Sequence, residues 1–172
     1  MSRMRPDDAP YRPNVGAVVF DRRGLVFLAR RLGDDGPEVI FPGFEWQFPQ
    51  GGIGFGEDPA VAVRRELREE TGMETVSHIA TLGRQVTYDW PPYCGPPHPL
   101  TAWRGQAQTW FAFRFAGDER EIDLASPAAG EAPEFDIWRW ERLDRVADLV
   151  VPYKRHIYLE IAVAFAAFAR PA

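Results

Sequence analysis

An α/β (α+β) sandwich is the fold class this sequence predicts, and three observations carry it. Short β-rich runs recur along the chain, from Val15–Phe20 to the stretch Pro133–Trp140. Two segments show helical spacing, one opened by Asp58-Pro59 and one following Pro152. A chain of 172 residues, 45% of them hydrophobic, is long enough for one domain with its own core, so these strands and helices must pack against each other in layers.

Residues 1–10 are polar and are expected to form a flexible tail before a single domain over residues 11–172. Val15–Phe20 is β-rich, Asp21-Arg22-Arg23-Gly24 supplies turn chemistry, and Leu25–Arg31 follows, so a hairpin is predicted. Gly33–Glu45 is a loop punctuated by glycine and proline; its length before Trp46-Gln47-Phe48-Pro49-Gln50 suits either a lid or a surface insertion. A helix is expected from Asp58, whose carboxylate can cap the first turn, through Pro59 at the first helical position, to Gly72, where a left-handed stop is favoured. Ala60, Val63 and Leu67 fall on one apolar stripe of that helix. Strands are expected over Val76–Leu82, Gln85–Trp90, Ala107–Phe115 and Pro133–Trp140, with an irregular polar excursion over residues 117–133. A short helix over Asp144–Leu149 and a longer one over Pro152–Arg170 complete the reading.

Composition excludes several functions. No apolar run is long enough to span a membrane, and the first ten residues lack the apolar segment of a signal peptide. The lone Cys94 cannot form an internal disulfide, which fits a cytoplasmic protein. A net charge of −5 argues against a DNA-binding protein, whose affinity needs many basic phosphate contacts, yet it leaves room for a substrate gripped at a phosphate end. No two of His78, His98 and His156 have metal-ligand spacing. Gly52, Gly54 and Gly56 imitate a dinucleotide-binding loop, but the third glycine of that pattern would have to stand at Glu57.

The chemistry concentrates between Gly51 and Met73, in GGIGFGEDPAVAVRRELREETGM. Glu66, Glu69 and Glu70 gather on one side of the predicted helix. Clustered carboxylates repel, so one pKa at least should rise unless a counter-ion is present. Hard oxygen donors in such a group suit Mg²⁺ or Mn²⁺, which keep open positions for substrate phosphates. Arg65 and Glu57 can pair and hold the preceding glycine loop. The alternative for a glutamate-rich face is plain solvation; the fixed order of glycines, cap, arginine and carboxylates favours the metal site.

Residues 51–73, with Gly51, Glu57, Arg65-Glu66-Leu67, Glu69-Glu70 and Gly72-Met73 in register, resemble the Nudix box. YRPNVG (11–16), ARR (29–31), WQFPQGGI (46–53), GQAQTWF (105–111), PEFDIWRW (133–140) and VPYKR (151–155) extend the resemblance to the bacterial RNA pyrophosphohydrolases, also called dinucleoside polyphosphate hydrolases. That resemblance implies the Nudix fold, a mixed β-sheet between helices with the box as loop-helix-loop. It implies a hydrolase in which Glu66, Glu69 and Glu70 hold Mg²⁺, or Mn²⁺ in its place, joined by Glu134 and a backbone carbonyl near Gly51. The catalytic set would be Glu70, Glu69, Glu66 and Arg65, with Glu70 or Glu69 as general base. Arg12, Arg31, Tyr88, Tyr153 and Lys154 match positions that contact 5′-phosphates or the first bases, with Tyr88 or Tyr153 able to stack. The implied substrate is a 5′-triphosphorylated RNA end, whose conversion to a 5′-monophosphate leads to RNA decay, or else a dinucleoside polyphosphate. A catalytically inactive nucleotide-binding module is the remaining alternative, opposed by the complete box.

Overall fold

The computed structural model describes residues 9–125 and 131–172; residues 1–8 of the expected tail and 126–130 of the expected excursion lie outside them. Among the described residues, eight strands form one mixed sheet. Its centre is β1 (Arg12–Phe20), which runs parallel to β7 (Gly105–Phe115) from the Arg12↔Gln106 pair to Phe20↔Arg114. The predicted hairpin joins β1 to the antiparallel β2 (Val26–Arg31). In its turn Asp21 Oδ1 accepts the amides of Arg23 and Leu25, both at 2.9 Å, and Gly24 takes φ +82°, a conformation that disfavours side chains. Next come β3 (Trp46–Gln47) against β2, β4 (Gln50–Gly52) against β1, β5 (Val76–Thr81) and β6 (Val86–Asp89) against β7, and β8 (Phe135–Glu141) against β2.

Alternation along β1 sends its side chains to two cores. Val15, Ala17 and Val19 pack with Ala62, Val63 and Leu67 of helix α1 (Pro59–Thr71), while Val18 and Phe20 pack with Ile157, Tyr158 and Ile161 of helix α2 (Arg155–Ala164). The sheet therefore lies between two helices. Gly16 leaves room for the Trp110 indole, since a Cβ there would stand 2.3 Å from the ring.

Helix α1 begins and ends where its sequence directs: Asp58 caps the Ala60 amide at 2.8 Å, and Gly72 at φ +76° stops the helix. Its buried stripe is Ala62, Val63, Leu67 and Thr71; Ala60, expected inside, is exposed. The difference lies along the helix axis, since burial begins at Ala62 and Ala60, in the first turn, shares the face of Leu67 without its cover.

The C-terminal helix is shorter than expected. Pro152–Lys154 forms a 3-10 turn, α2 ends at Ala164, and a further 3-10 turn covers Ala166–Phe168. Phe165, at φ −105° and ψ 10°, breaks the helix and lets Phe168 contact Phe20 edge-on at 6.1 Å. Arg114 Nη2 then reaches the Phe168 carbonyl at 3.4 Å. The short helix expected at Asp144–Leu149 is a 3-10 helix over Leu143–Asp148. No described helix is long and apolar enough to cross a membrane.

Candidate active site

The glycine loop from β4 to α1 is fixed by one guanidinium. Arg65 grips Glu57 with two bonds, Nε to Oε2 and Nη2 to Oε1, both 2.8 Å, and its Nη2 also donates to the Gly52 carbonyl at 2.9 Å. Glu57 Oε1 in turn accepts the Gly54 amide at 3.0 Å. A planar fork meeting a carboxylate is the geometry that carries orientation as well as charge. The expected pairing of Arg65 and Glu57 is thus present, and the arginine's hydrogen bonds hold Glu57 down at a pKa of about 2.

Arg65 Nη1 extends to the acidic face of α1, bonding Glu66 Oε1 at 2.8 Å and Glu69 Oε2 at 3.0 Å. Beyond them Glu70 and Glu134 share a hydrogen bond, and the Gln50 amide donates to Glu70 Oε2 at 3.2 Å. Burial raises the Glu66 pKa to about 7, against the opposing pull of Arg65, with Glu69 and Glu134 adding repulsion. Glu70 is pushed well above the usual carboxylate range by burial and then by the Glu134 charge. Glu134 is pushed upward too, chiefly by burial of its carboxyl among protein atoms and against the pull of Arg31, although more than a third of the residue's surface meets solvent. Gly51 packs flat on this group, for a Cβ there would fall 2.0 Å from the Glu66 carboxyl carbon.

This donor set fits a hard divalent cation. It is all oxygen, its carboxyls are crowded so that their pKa values rise, and a dication would relieve that repulsion. With Glu66 and Glu69 drawn onto Arg65 and Glu70 onto Glu134, no three described acidic, histidine or cysteine side chains already converge as a metal cage. The Gly52 carbonyl is taken by Arg65.

Beside the acidic group lies a buried cationic cradle. Lys154 is fully buried, and Arg31 is 5% exposed. Lys154 Nζ bonds Glu38 Oε1 tightly and reaches Gln47 Oε1 at 3.2 Å. Arg31 Nη2 donates to the Glu38 carbonyl at 3.1 Å, while its Nε and Nη1 are buried without a hydrogen-bond partner. Tyr88 OH donates to Glu38 Oε1 at 3.1 Å, and Tyr153 OH to the Val39 carbonyl at 2.5 Å. Gln50 Nε2 also donates to Glu38 Oε1, at 2.9 Å. Gln50 thereby joins the two halves of the site, its amide on Glu70 and its side chain on Glu38.

The structure thus gathers Glu66, Glu69, Glu70, Arg65, Glu134 and Gly51 at one end, and Arg31, Tyr88, Tyr153 and Lys154 at the other. Arg12 reaches the cradle through Gln106: it lies over Gly52, where a Cβ would meet its Nη2 at 2.2 Å, and its Nη1 contacts Gln106 Oε1 at 3.5 Å. Tyr88 is buried with its ring against Trp90 and Tyr153, whereas Tyr153 is half-buried and is met edge-on by Phe41 at 6.2 Å. Sequence reasoning missed Glu38, a glutamate in a glycine- and proline-rich loop with no pattern around it. It also missed the buried amides Gln50, Gln106 and Gln108, although Gln106 and Gln108 share one face of a strand rich in aromatic residues.

Comparison with known proteins gives the family of the chain. Residues 10–161 match the model of the NUDIX domain. An RNA pyrophosphohydrolase of Caulobacter vibrioides is 48% identical over 166 residues, covering 95% of this chain and 91% of that protein. One from Azorhizobium caulinodans is 46% identical over 166 residues, covering 96% and 98%. Among solved structures, the E. coli dihydroneopterin triphosphate pyrophosphohydrolase superposes with TM-score 0.60 at 18% identity, covering 90% of this chain and 99% of that one. A C. elegans Ap4A hydrolase complex gives TM-score 0.56 at 14% identity, covering 90% and 98%; at such identities these likenesses speak for the fold alone. With the domain model spanning almost the whole chain and relatives this similar along their full length, the chain belongs to the NUDIX family.

Proposed function

We propose that this chain is a Nudix pyrophosphohydrolase that converts 5′-triphosphorylated RNA to 5′-monophosphorylated RNA, opening the transcript to decay, within a single domain over residues 11–172. One observation carries the reading: a carboxylate group suited to a divalent cation and a buried cradle of Arg31 and Lys154 are joined through Gln50. Such polarity suits a phosphate chain lying across both ends. The relatives named RNA pyrophosphohydrolase support RNA as the molecule that carries it.

Glu66, Glu69, Glu70 and Glu134, with a backbone carbonyl at Gly51, would hold Mg²⁺, or Mn²⁺ as a substitute. Bound there, the ion supplies charge neutralisation on the phosphate oxygens and lowers the pKa of a water. Arg31 and Lys154 bind and orient the phosphate chain, Arg31 through the two donors now unsatisfied. Glu70, as the carboxylate, accepts the proton of the attacking water, with Glu69 the neighbouring candidate for that role. Arg65 touches Glu66, Glu69 and the glycine loop together and so keeps the carboxylates in register. Tyr153 offers its ring to the first base, and Arg12 reaches the substrate from above Gly52.

The test compares kcat/KM on 5′-triphosphorylated RNA and on diadenosine tetraphosphate with Mg²⁺. A higher value on RNA, with a 5′-monophosphate product, supports the proposal. A higher value on the dinucleotide assigns the site to dinucleoside polyphosphates, and absence of turnover with either leaves a binding module.

A further inference from the structure

The segment Gly33–Glu45 carries one acidic side chain deep into the protein. Glu38 is 6% exposed, and its carboxylate accepts from Lys154, Gln50 and Tyr88 on Oε1 and from Gln106 Nε2, at 3.5 Å, on Oε2. With the Glu38 and Val39 carbonyls bound by Arg31 and Tyr153, two consecutive loop residues occupy four of the five side chains assigned above to substrate. We infer that Glu38 is an internal anion seated in the phosphate site, so that the 33–45 loop must lift away before a phosphate chain can bind. This inference rests on the reading of Arg31 and Lys154 as phosphate ligands.

A carboxylate can take that place because an ammonium, a guanidinium, a phenol and amide donors grip carboxylate and phosphate oxygens by the same bonds. The grip is incomplete on the arginine side. A single carbonyl satisfies one donor of Arg31 and leaves Nε and Nη1 buried and unpartnered, whereas a phosphate group offers several oxygens to that fork. Substrate therefore replaces the loop with a better-satisfied set of bonds. The loop is suited to leaving. Phe41, Pro42, Gly43 and Phe44 are exposed, and Gly36 and Gly43 hold positive φ of +55° and +87°. Glu38, Pro37 and a half-buried Ile40 are its main inward anchors, so its opening costs little apolar burial.

A seated competitor multiplies the affinity of every phosphate ligand by the fraction of molecules whose site is open, without touching the chemical step. Replacing Glu38 with Ala or Gln therefore lowers KM for triphosphorylated RNA about tenfold or more, with kcat within about twofold. Both variants also bind inorganic tripolyphosphate more tightly in calorimetry by a similar factor, while Mn²⁺ affinity stays unchanged. Glu38→Gln keeps the shape and most hydrogen bonds if the alanine variant fails to fold. In the unmodified protein, tripolyphosphate should speed hydrogen exchange of amides 36–45. Variants that bind tripolyphosphate no better, or loop amides that become protected on binding, overturn the inference and make the loop a lid that closes over substrate. Tighter tripolyphosphate binding without any RNA turnover keeps the internal anion and removes the RNA assignment; normal RNA turnover with unchanged tripolyphosphate binding does the reverse.

Discussion

Replacing Lys154 with methionine tests the buried pair at the heart of the cradle. In the native protein burial alone would raise the Glu38 pKa, yet Lys154, then Arg31, pull it from 4.5 down to about 2. A shift of that size corresponds to roughly 3 kcal/mol at about 1.4 kcal/mol per unit. Lys154 contributes in the opposite sense, because burial lowers its own pKa despite Glu38, so the pair as a whole stabilises by less than the Glu38 shift suggests. Removing Lys154 alone is a different matter, since it leaves a buried carboxylate without its closest counter-charge. Such a loss costs about 3–5 kcal/mol; the lower end applies here because Tyr88, Gln50, Gln106 and Arg31 remain. The sign with pH follows from the depressed pKa: the stabilisation from Glu38 is present above about pH 4.5 and fades as pH falls toward 2. Urea denaturation at pH 7 should therefore show Lys154→Met destabilised by about 3 kcal/mol, a gap that narrows in acid as Glu38 takes a proton. The double variant Lys154→Met/Glu38→Gln should regain most of the loss. A single variant as stable as the native protein at pH 7, or a double variant no better than the single, would refute the reasoning.

Other outcomes follow from the same geometry. Because Glu66 holds a proton up to about pH 7, and a divalent cation must displace it, Mn²⁺ affinity measured by calorimetry should rise about tenfold between pH 6 and pH 8; a flat profile removes Glu66 from the ligand set. Arg65→Lys keeps the charge and loses the fork on Glu57, so kcat/KM should fall about a hundredfold as the glycine loop shifts, and native activity would contradict that positioning. Gly16→Ala drives a Cβ into the Trp110 ring and should cost about 1–3 kcal/mol in urea denaturation, with an altered near-ultraviolet tryptophan signal; an unchanged midpoint would contradict the close approach.

What was legible in the sequence is what local chemistry dictates. Asp58, Pro59 and Gly72 mark the limits of α1 by capping and backbone preference alone, and the spacing of Glu66, Glu69 and Glu70 places them on one face whatever the helix packs against. The β1–β2 hairpin was readable because Asp21 and Gly24 build their own turn. Less of the cradle was readable. Arg31 and Lys154 lie far apart in the chain, and only the resemblance to known proteins pointed to both. Glu38 gave no signal: its burial depends on Lys154, Tyr88, Gln50 and Gln106, contributed by four separate segments. The same cause explains the overlong C-terminal helix, since Phe165 and Phe168 keep helical spacing while the helix stops at Phe165 and Phe168 turns onto the distant Phe20.

The most direct test of hydrolysis by the carboxylate group is turnover of 5′-triphosphorylated RNA by the native protein and its Glu70→Gln variant under the same Mg²⁺ concentration. Glutamine keeps the size of Glu70 and its bond from the Gln50 amide while removing the charge that would take a proton or hold the ion. The native protein should release 5′-monophosphorylated RNA, and the variant should be slower by at least about a hundredfold, the scale of losing a general base. Equal turnover by the two would place the chemistry elsewhere.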